Sequence, residues 1–370
     1  MNDGPHEFSQ RTSFKWLSAE YHGISIQLPG EKKLPDQCIC MLSDLNGDYI
    51  DILENPPTNL EFARIVQISR PVVIRGFKVP GVSSNKWSNE YLINAMGSRL
   101  VSVAVTPNGR ADAVTLGPDG KLYFAEPAME RMSIESLLEN LSDDVNSDDN
   151  GVSLKTYYLQ SQNGNVYSSR FFQGLDDPSE FEPLRQDIPS EVKWCTEALD
   201  KPPDAVNLWV GDGSSVSSIH SDPYENIYTV VRGQKHFTLL PPTDGWCLDE
   251  RFYPHATYVR TPDQGGNLAL QPSPGNTPPV RWSSILNPHL PGRLPPEAHP
   301  IHISISEGEA IYIPVGWWHH VRQSGITVAL NWWYDTEMRG MSWVMLSYLR
   351  AMKDITSGNS NDENSDVMVN

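Results

Sequence analysis

Apolar residues recur along this chain at two spacings, and the change from one to the other marks its organisation. LEFARIVQI, from Leu60 to Ile68, places them at helical intervals, and KWSNEYLINAMG fits a second helix closed by Gly97. PVVIRGF (Pro71 to Phe77) reads as a strand, and LVSVAV (Leu100 to Val105) alternates as a strand does. Farther on, TYYLQSQ, AVNLWVG, HSDPYENIYTVVRGQKH, HFTLLPP, EAIYIP and TVALNWWY follow one another as short aromatic and β-branched runs bounded by Gly and Pro. That series predicts a sandwich or barrel. Within it, His220 to His236 reads as a hairpin of two short strands that doubles back at Arg232-Gly233. A Pro-rich stretch from Thr261 to Pro300 interrupts the series and is expected to be a long surface loop, since strands resume beyond it. MSWVMLSYLRAM then sets Met341, Met345, Tyr348, Leu349 and Met352 on one stripe of a terminal helix.

Composition narrows the setting. The chain has 370 residues, 39% hydrophobic and 20% charged, as in a soluble globular protein, and its 30 prolines imply many turns. The weakly patterned N-terminus carries no apolar run flanked by basic residues, and no apolar stretch has membrane-spanning length, so neither secretion nor membrane insertion is expected. Cys38, Cys40, Cys195 and Cys247 are too scattered to frame such a chain with disulfides, which predicts a reducing compartment, cytoplasm or nucleus. Cys38 and Cys40 read as two ordinary thiols rather than a zinc site, because no second cysteine pair lies nearby. A formal net charge of −18 argues against direct nucleic-acid binding and is compatible with a basic protein partner. Much of the charge is local, in SDDVNSDD (Ser142 to Asp149) and in the tail from Ser357 to Asn370, both expected to be solvated or disordered. The organisation expected is a variable segment 1–50, one catalytic domain over 51–356 and a disordered acidic tail 357–370.

The polar residues of the His220 to His236 stretch are the candidate chemistry. On a strand, residues two apart share a face, so His220 and Asp222 project together, with Asn226 and Tyr228 on the same parity if the strand runs on. His319 and His320, beyond EGEAIYIPVGWW, offer a third metal ligand. Two His and one carboxylate on one face of an ion leave open positions, as in non-haem Fe(II) oxygenases. H-x-D also fits a local hydrogen-bonded pair, and the residues alone leave both readings open. Lys235, across the expected turn, is either an exposed hairpin lysine or a buried one that a dicarboxylate would partner.

The order H-S-D, Y-E-N-I-Y, V-x-G-x-K, G-E-x-x-Y-I-P-x-x-W-W-H-H and N-W-W-Y resembles the Jumonji-C (cupin-type) 2-oxoglutarate oxygenases. VSVAVTPNGRADAV, KWSNEYL, TYYLQSQN and PDAVNLWVG resemble more narrowly its lysyl hydroxylase branch, also described as peptidases, and the similarity runs from about Asn55 to Asp354. The resemblance implies an α+β, mainly β fold: a double-stranded β-helix, or jelly-roll cupin barrel, with flanking N-terminal helices and strands and a C-terminal helix. It implies Fe(2+) held by His220, Asp222 and His319, with 2-oxoglutarate and O2 as co-substrates. His319 is preferred to His320 because the family's ligand falls five residues after the proline, here Pro314. Tyr158, Ser217, Asn226, Lys235 and Asn331 match positions lining the 2-oxoglutarate pocket, Lys235 pairing with the distal carboxylate, and Trp333 walls it. Ser217 stands where relatives often have Thr. Also implied are hydroxylation of a lysine in a translation-associated GTPase and, from related asparaginyl hydroxylases, a homodimer through the C-terminal helix. Lysine demethylation is the alternative, since it uses the same iron chemistry. A peptidase would need a motif such as H-E-x-x-H or a nucleophile elbow, and neither occurs. A non-catalytic cupin-like binder fits poorly with the full complement of ligand positions.

Overall fold

Thr58 opens the first helix with a reciprocal cap: its side chain accepts from the Glu61 backbone N–H, and Glu61 accepts from the Thr58 N–H. The computed structural model describes residues 49–79, 86–141, 155–160, 164–261 and 267–358. Most of the expected variable segment, the acidic insert 142–149, nearly all of the tail, and Cys38 and Cys40 lie outside the described residues. In chain order come β1 (Asp51–Leu53), α1 (Asn59–Ile68), β2 (Val72–Ile74), α2 (Asn89–Met96), β3 (Leu100–Thr106), β4 (Arg110–Ala111), β5 (Ala113–Leu116) and β6 (Leu122–Glu126). They are followed by β7 (Ala128–Ser133), α3 (Ile134–Asn140), β8 (Thr156–Tyr158), α4 (Ser169–Phe172), α5 (Lys193–Leu199), β9 (Ala205–Gly211), β10 (Val216–Ser221) and β11 (Tyr224–Leu240). The chain continues through β12 (Glu250–Tyr253), β13 (His255–Arg260), β14 (Leu268–Pro272), β15 (Val280–Ser283), β16 (Ile301–Ser306), β17 (Ala310–Ile313), β18 (Trp318–Asp335) and α6 (Met341–Gly358).

Two long antiparallel strands, β11 and β18, form the spine of the jelly roll. Their outer halves carry β17, β2 and β1 on one side and β9 on the other. Their inner halves carry β16 on one side and β10 with β4 on the other. The TVALNWWY run is apolar apart from Thr327 and Asn331 because both faces of this half of β18 are buried. Val328, Leu330, Trp332 and Tyr334 pack outward under the helices with Phe62, Phe181 and Tyr312, whereas Ala329 and Trp333 face the barrel interior with Tyr228, Phe237 and Ile313.

Two expectations fail here. There is no reversal at Arg232-Gly233: β11 runs through as one strand, interrupted by irregular register between Val230 and Gln234. Gly233 takes φ +82°, and a Cβ there would lie 2.6 Å from the Thr327 hydroxyl, so the glycine serves a bulge rather than a turn. The stretch Thr261 to Pro300 is not one long surface loop, because it contains β14 and β15. Pro272 ends β14, the edge strand of its sheet, while Val280 to Ser283 pair with Tyr253 to Glu250.

The terminal helix also docks by a different face from the anticipated stripe. Leu346 is buried with Trp343 partly buried beside it, and Arg350 makes a two-pronged ion pair with Glu250. Met341 and Tyr348 are exposed. Among the described residues no helix is long and apolar enough to cross a membrane.

Candidate active site

His220 and His319 sit directly opposite one another on β10 and β18, which brings their ring centroids to 4.2 Å. Asp222 follows β10, and its Oδ2 lies 3.7 Å from His220 Nε2 and 3.5 Å from His319 Nε2. Backbone carbonyls orient both rings: His220 Nδ1 is 2.7 Å from the Ser218 oxygen, and His319 Nδ1 is 3.1 Å from the Trp317 oxygen. With each Nδ1 donating its proton to a carbonyl, both Nε2 lone pairs are directed at the space beside Asp222, the arrangement of metal-bound imidazoles.

The electrostatics favour ligation. Burial and the neighbouring His319 hold the His220 imidazole below its ordinary pKa, so the neutral form, the one that binds metal, prevails at neutral pH. Burial alone would raise the Asp222 carboxyl, but His220 and His319 outweigh it and leave the pKa lowered. Asp222 Oδ2 is nevertheless buried without a hydrogen-bond donor. Among the described residues, only His220, Asp222 and His319 bring three such ligand atoms within 4.8 Å of one another. Two imidazole nitrogens and one carboxylate oxygen on one side of a point suit a divalent iron with free positions opposite.

A cavity opens from this face into the barrel, lined among others by Tyr158, Ser217, Asn226, Asn331 and Trp333. Lys235 lies against two of its lining residues, Tyr158 and Tyr228. It is 1% exposed, its ammonium donates to the Tyr158 hydroxyl at 2.9 Å, and no carboxylate among the described residues pairs with it. Burial pushes its pKa down to about 7. Ser217 hydrogen-bonds the Tyr158 hydroxyl, whose own pKa burial raises. Asn331 donates to Asn226 at 3.1 Å and accepts from the Trp209 indole at 2.8 Å and Asn207 at 3.2 Å, so its amide is fixed. His220, Asp222, His319, Tyr158, Ser217, Asn226, Asn331 and Trp333 line this one cavity, and Lys235 contacts it through Tyr158. His320, next to His319 on the strand, faces the other way.

Several residues that serve the site escaped sequence reasoning. Trp282, within the Pro-rich stretch, stacks on His220 at 5.9 Å with ring planes 8° apart. Glu225 is buried and accepts from the Tyr312 hydroxyl at 2.7 Å and the Val315 N–H at 3.1 Å, tying down the turn that leads to His319. Its pKa is pushed up to about 7 by burial, against both hydrogen bonds. A lone Trp among prolines, and a Glu inside an apolar strand, were the available signals.

A family model described as a cupin-like domain matches residues 57–340. The bifunctional peptidase and (3S)-lysyl hydroxylase JMJD7 of Homo sapiens is 35% identical over 318 residues, covering 85% of this chain and 91% of that protein. The lysine-specific demethylase JMJ32 of Arabidopsis thaliana is 34% identical over 323 residues, covering 83% of this chain and 87% of the relative. JmjC domain-containing protein E of Dictyostelium discoideum is 32% identical over 319 residues, covering 80% and 86% respectively.

Proposed function

The chain belongs to the cupin-like JmjC family, whose members are Fe(II)- and 2-oxoglutarate-dependent oxygenases, and from that premise we propose that it is a protein hydroxylase acting at C3 of a lysine side chain. The observation that carries this reading is one cavity with two complementary ends. At its mouth, two imidazoles and a carboxylate with an orphaned oxygen suit a divalent cation. Beside Tyr158 at the other end, a buried ammonium without an acid partner suits the far carboxylate of a dicarboxylate.

Bound Fe(II) would supply the redox chemistry with O2 and 2-oxoglutarate. His220, Asp222 and His319 would hold it. Lys235 would pair with the distal carboxylate, with the Tyr158 and Ser217 hydroxyls beside it, while Asn226 and Asn331 fix the polar wall and Trp333 the apolar one. The carboxylate would enter a site whose donors are already held, so little reorganisation is needed on binding. A basic target, such as a translation-associated GTPase, suits a chain of net charge −18. The lysyl hydroxylase named among the relatives supports lysine as the residue.

The test is mass spectrometry of a lysine-bearing basic protein after incubation with the enzyme, Fe(II), O2 and 2-oxoglutarate. A gain of one oxygen on lysine, matched by succinate, is expected. Loss of methyl mass would replace hydroxylation by demethylation, and chain cleavage would replace it by proteolysis. The reading extends to assembly and place: a homodimer through α6, supported by exposed Met341, Val344 and Tyr348, and residence in the cytoplasm or nucleus, supported by the free, buried thiol of Cys195.

A further inference from the structure

The outer face of the barrel carries a second cluster that the iron site does not use. Thr238 on β11 pairs in register with His302 on β16 and with His320 on β18, while His236 pairs with Ser304 and Arg322. Alternation therefore sets His302, His320 and Arg322 on one face of the sheet, opposite to His319. The Pro-rich segment folds back over this face and lays His289 on His320, with ring centroids 5.1 Å apart and planes at 18°. His320 is fully buried, yet both of its ring nitrogens lack hydrogen-bond partners. The buried His289 Nδ1 and Arg322 Nε lack partners as well.

The charge around the pair has one sign. Burial, then Arg322, Arg110 and His302, hold the His289 imidazole below its ordinary pKa. Arg110 is anchored beside the pair by the Leu286 carbonyl at 2.8 Å and the Asn287 side chain at 2.6 Å. No carboxylate among the described residues pairs with Arg110 or Arg322. On a chain of net charge −18, these positive groups gather without a carboxylate partner around imidazole nitrogens that are buried and unpaired. These imidazoles do not form a metal site, because the only described group with three ligand atoms in range is His220, Asp222 and His319. Next to the pair, His289 and His302 share a cavity of about 230 Å³ whose other walls include Pro288, Leu294, Pro295 and Pro300.

We propose that His289, His320, Arg322 and Arg110 form a second binding site, separate from the iron cavity, for an oxyanion: a carboxylate or phosphoryl group carried on a small apolar body. The anionic head accepts from the imidazole and guanidinium N–H groups, and the proline-walled cavity receives the body. Neutral imidazoles suffice, since each offers one N–H.

Isothermal titration of the metal-free full chain with phenyl phosphate and with benzoate tests this. One saturable site is expected, weakened at least about tenfold in Arg322→Gln and in His289→Gln and unchanged in Lys235→Ala, which alters only the iron cavity. Tighter phenyl phosphate identifies a phosphoryl ligand, and tighter benzoate a carboxylate. Histidine ring-proton NMR of the unaltered protein gives a reading that no variant can confound: the probe should shift His289, His302 and His320. Absence of saturable binding by both probes, binding indifferent to both substitutions, or shifts centred on His220 and His319 would overturn the proposal.

Discussion

Replacing Lys235 by Met should make the ligand-free protein more stable and the oxygenase worse, two effects of opposite sign from one buried charge. The side chain is 1% exposed, its one hydrogen bond is to the Tyr158 hydroxyl, and its ammonium lies 5.1 Å and 5.8 Å from the centres of the Tyr158 and Tyr228 rings. Those contacts do not offset desolvation, because the pKa falls from 10.5 to about 7. At ~1.4 kcal/mol per tenfold change in proton affinity, that fall corresponds to roughly 4–5 kcal/mol against folding. A lysine with a depressed folded pKa costs its full amount below about pH 7, and the cost fades as pH rises toward 10.5, the window in which the unfolded chain binds the extra proton. Urea unfolding without ligand should therefore show wild-type stability increasing from pH 7 to pH 9, and Lys235→Met should flatten that slope and raise the pH 7 midpoint. Binding is affected in the opposite direction. Removing the ammonium leaves the distal carboxylate desolvated without a partner, a loss of about 2–5 kcal/mol. The half-saturating 2-oxoglutarate concentration in a succinate assay should then rise at least about tenfold, since ~1.4 kcal/mol is one decade. Iron binding should persist, and Lys235→Arg should restore little, because a planar guanidinium needs more room and a different donor geometry than the ammonium it replaces. An unchanged half-saturation point, or a Met variant less stable at pH 7, would refute the reasoning.

His220→Ala and Asp222→Ala should abolish iron retention and succinate formation while leaving the fold largely intact; wild-type iron content in either would remove the metal assignment. His319→Ala should lose iron and His320→Ala keep it, because the two side chains lie on opposite faces of β18, and metal analysis of the purified pair decides between them. Glu225→Gln should raise the unfolding free energy from urea titrations at pH 8 by up to about 3 kcal/mol and change it little at pH 4.5: the raised carboxyl stays protonated when folded up to about pH 7, so its cost appears as pH rises from about 4.5 to 7 and remains above. Light scattering should give twice the 41.5 kDa chain mass, falling to one chain in Tyr348→Asp; a single-chain mass that persists on concentrating the protein would reject the dimer.

What was legible in the chain divides along a physical line. His220 and Asp222 could be grouped because strand parity sets them on one face, whereas the resemblance, through the spacing from Pro314, was needed to choose His319 over His320. Bulges could not be found that way. Ser217 and His220 are three apart, so strict alternation would send them to opposite faces; a register shift between them on β10 turns both into the cavity. On β11 the same device acts between Tyr228 and Lys235, an even and an odd position that share one interior because the register slips between Val230 and Gln234. The hairpin expected at Arg232-Gly233 was a misreading of this slip, since a glycine with positive φ serves a turn and a bulge equally well. The two are separated only by what pairs with the strand beyond the glycine, and that partner, β18, lies about a hundred residues farther along the chain. Trp282 escaped for a related reason. Prolines suppress the strand signal around it, yet β15 needs only four residues and one partner to carry its indole over His220. Chemistry that depends on residue type is therefore readable from a short window, whereas chemistry that depends on a one-residue change of register becomes readable only when both strands are in view.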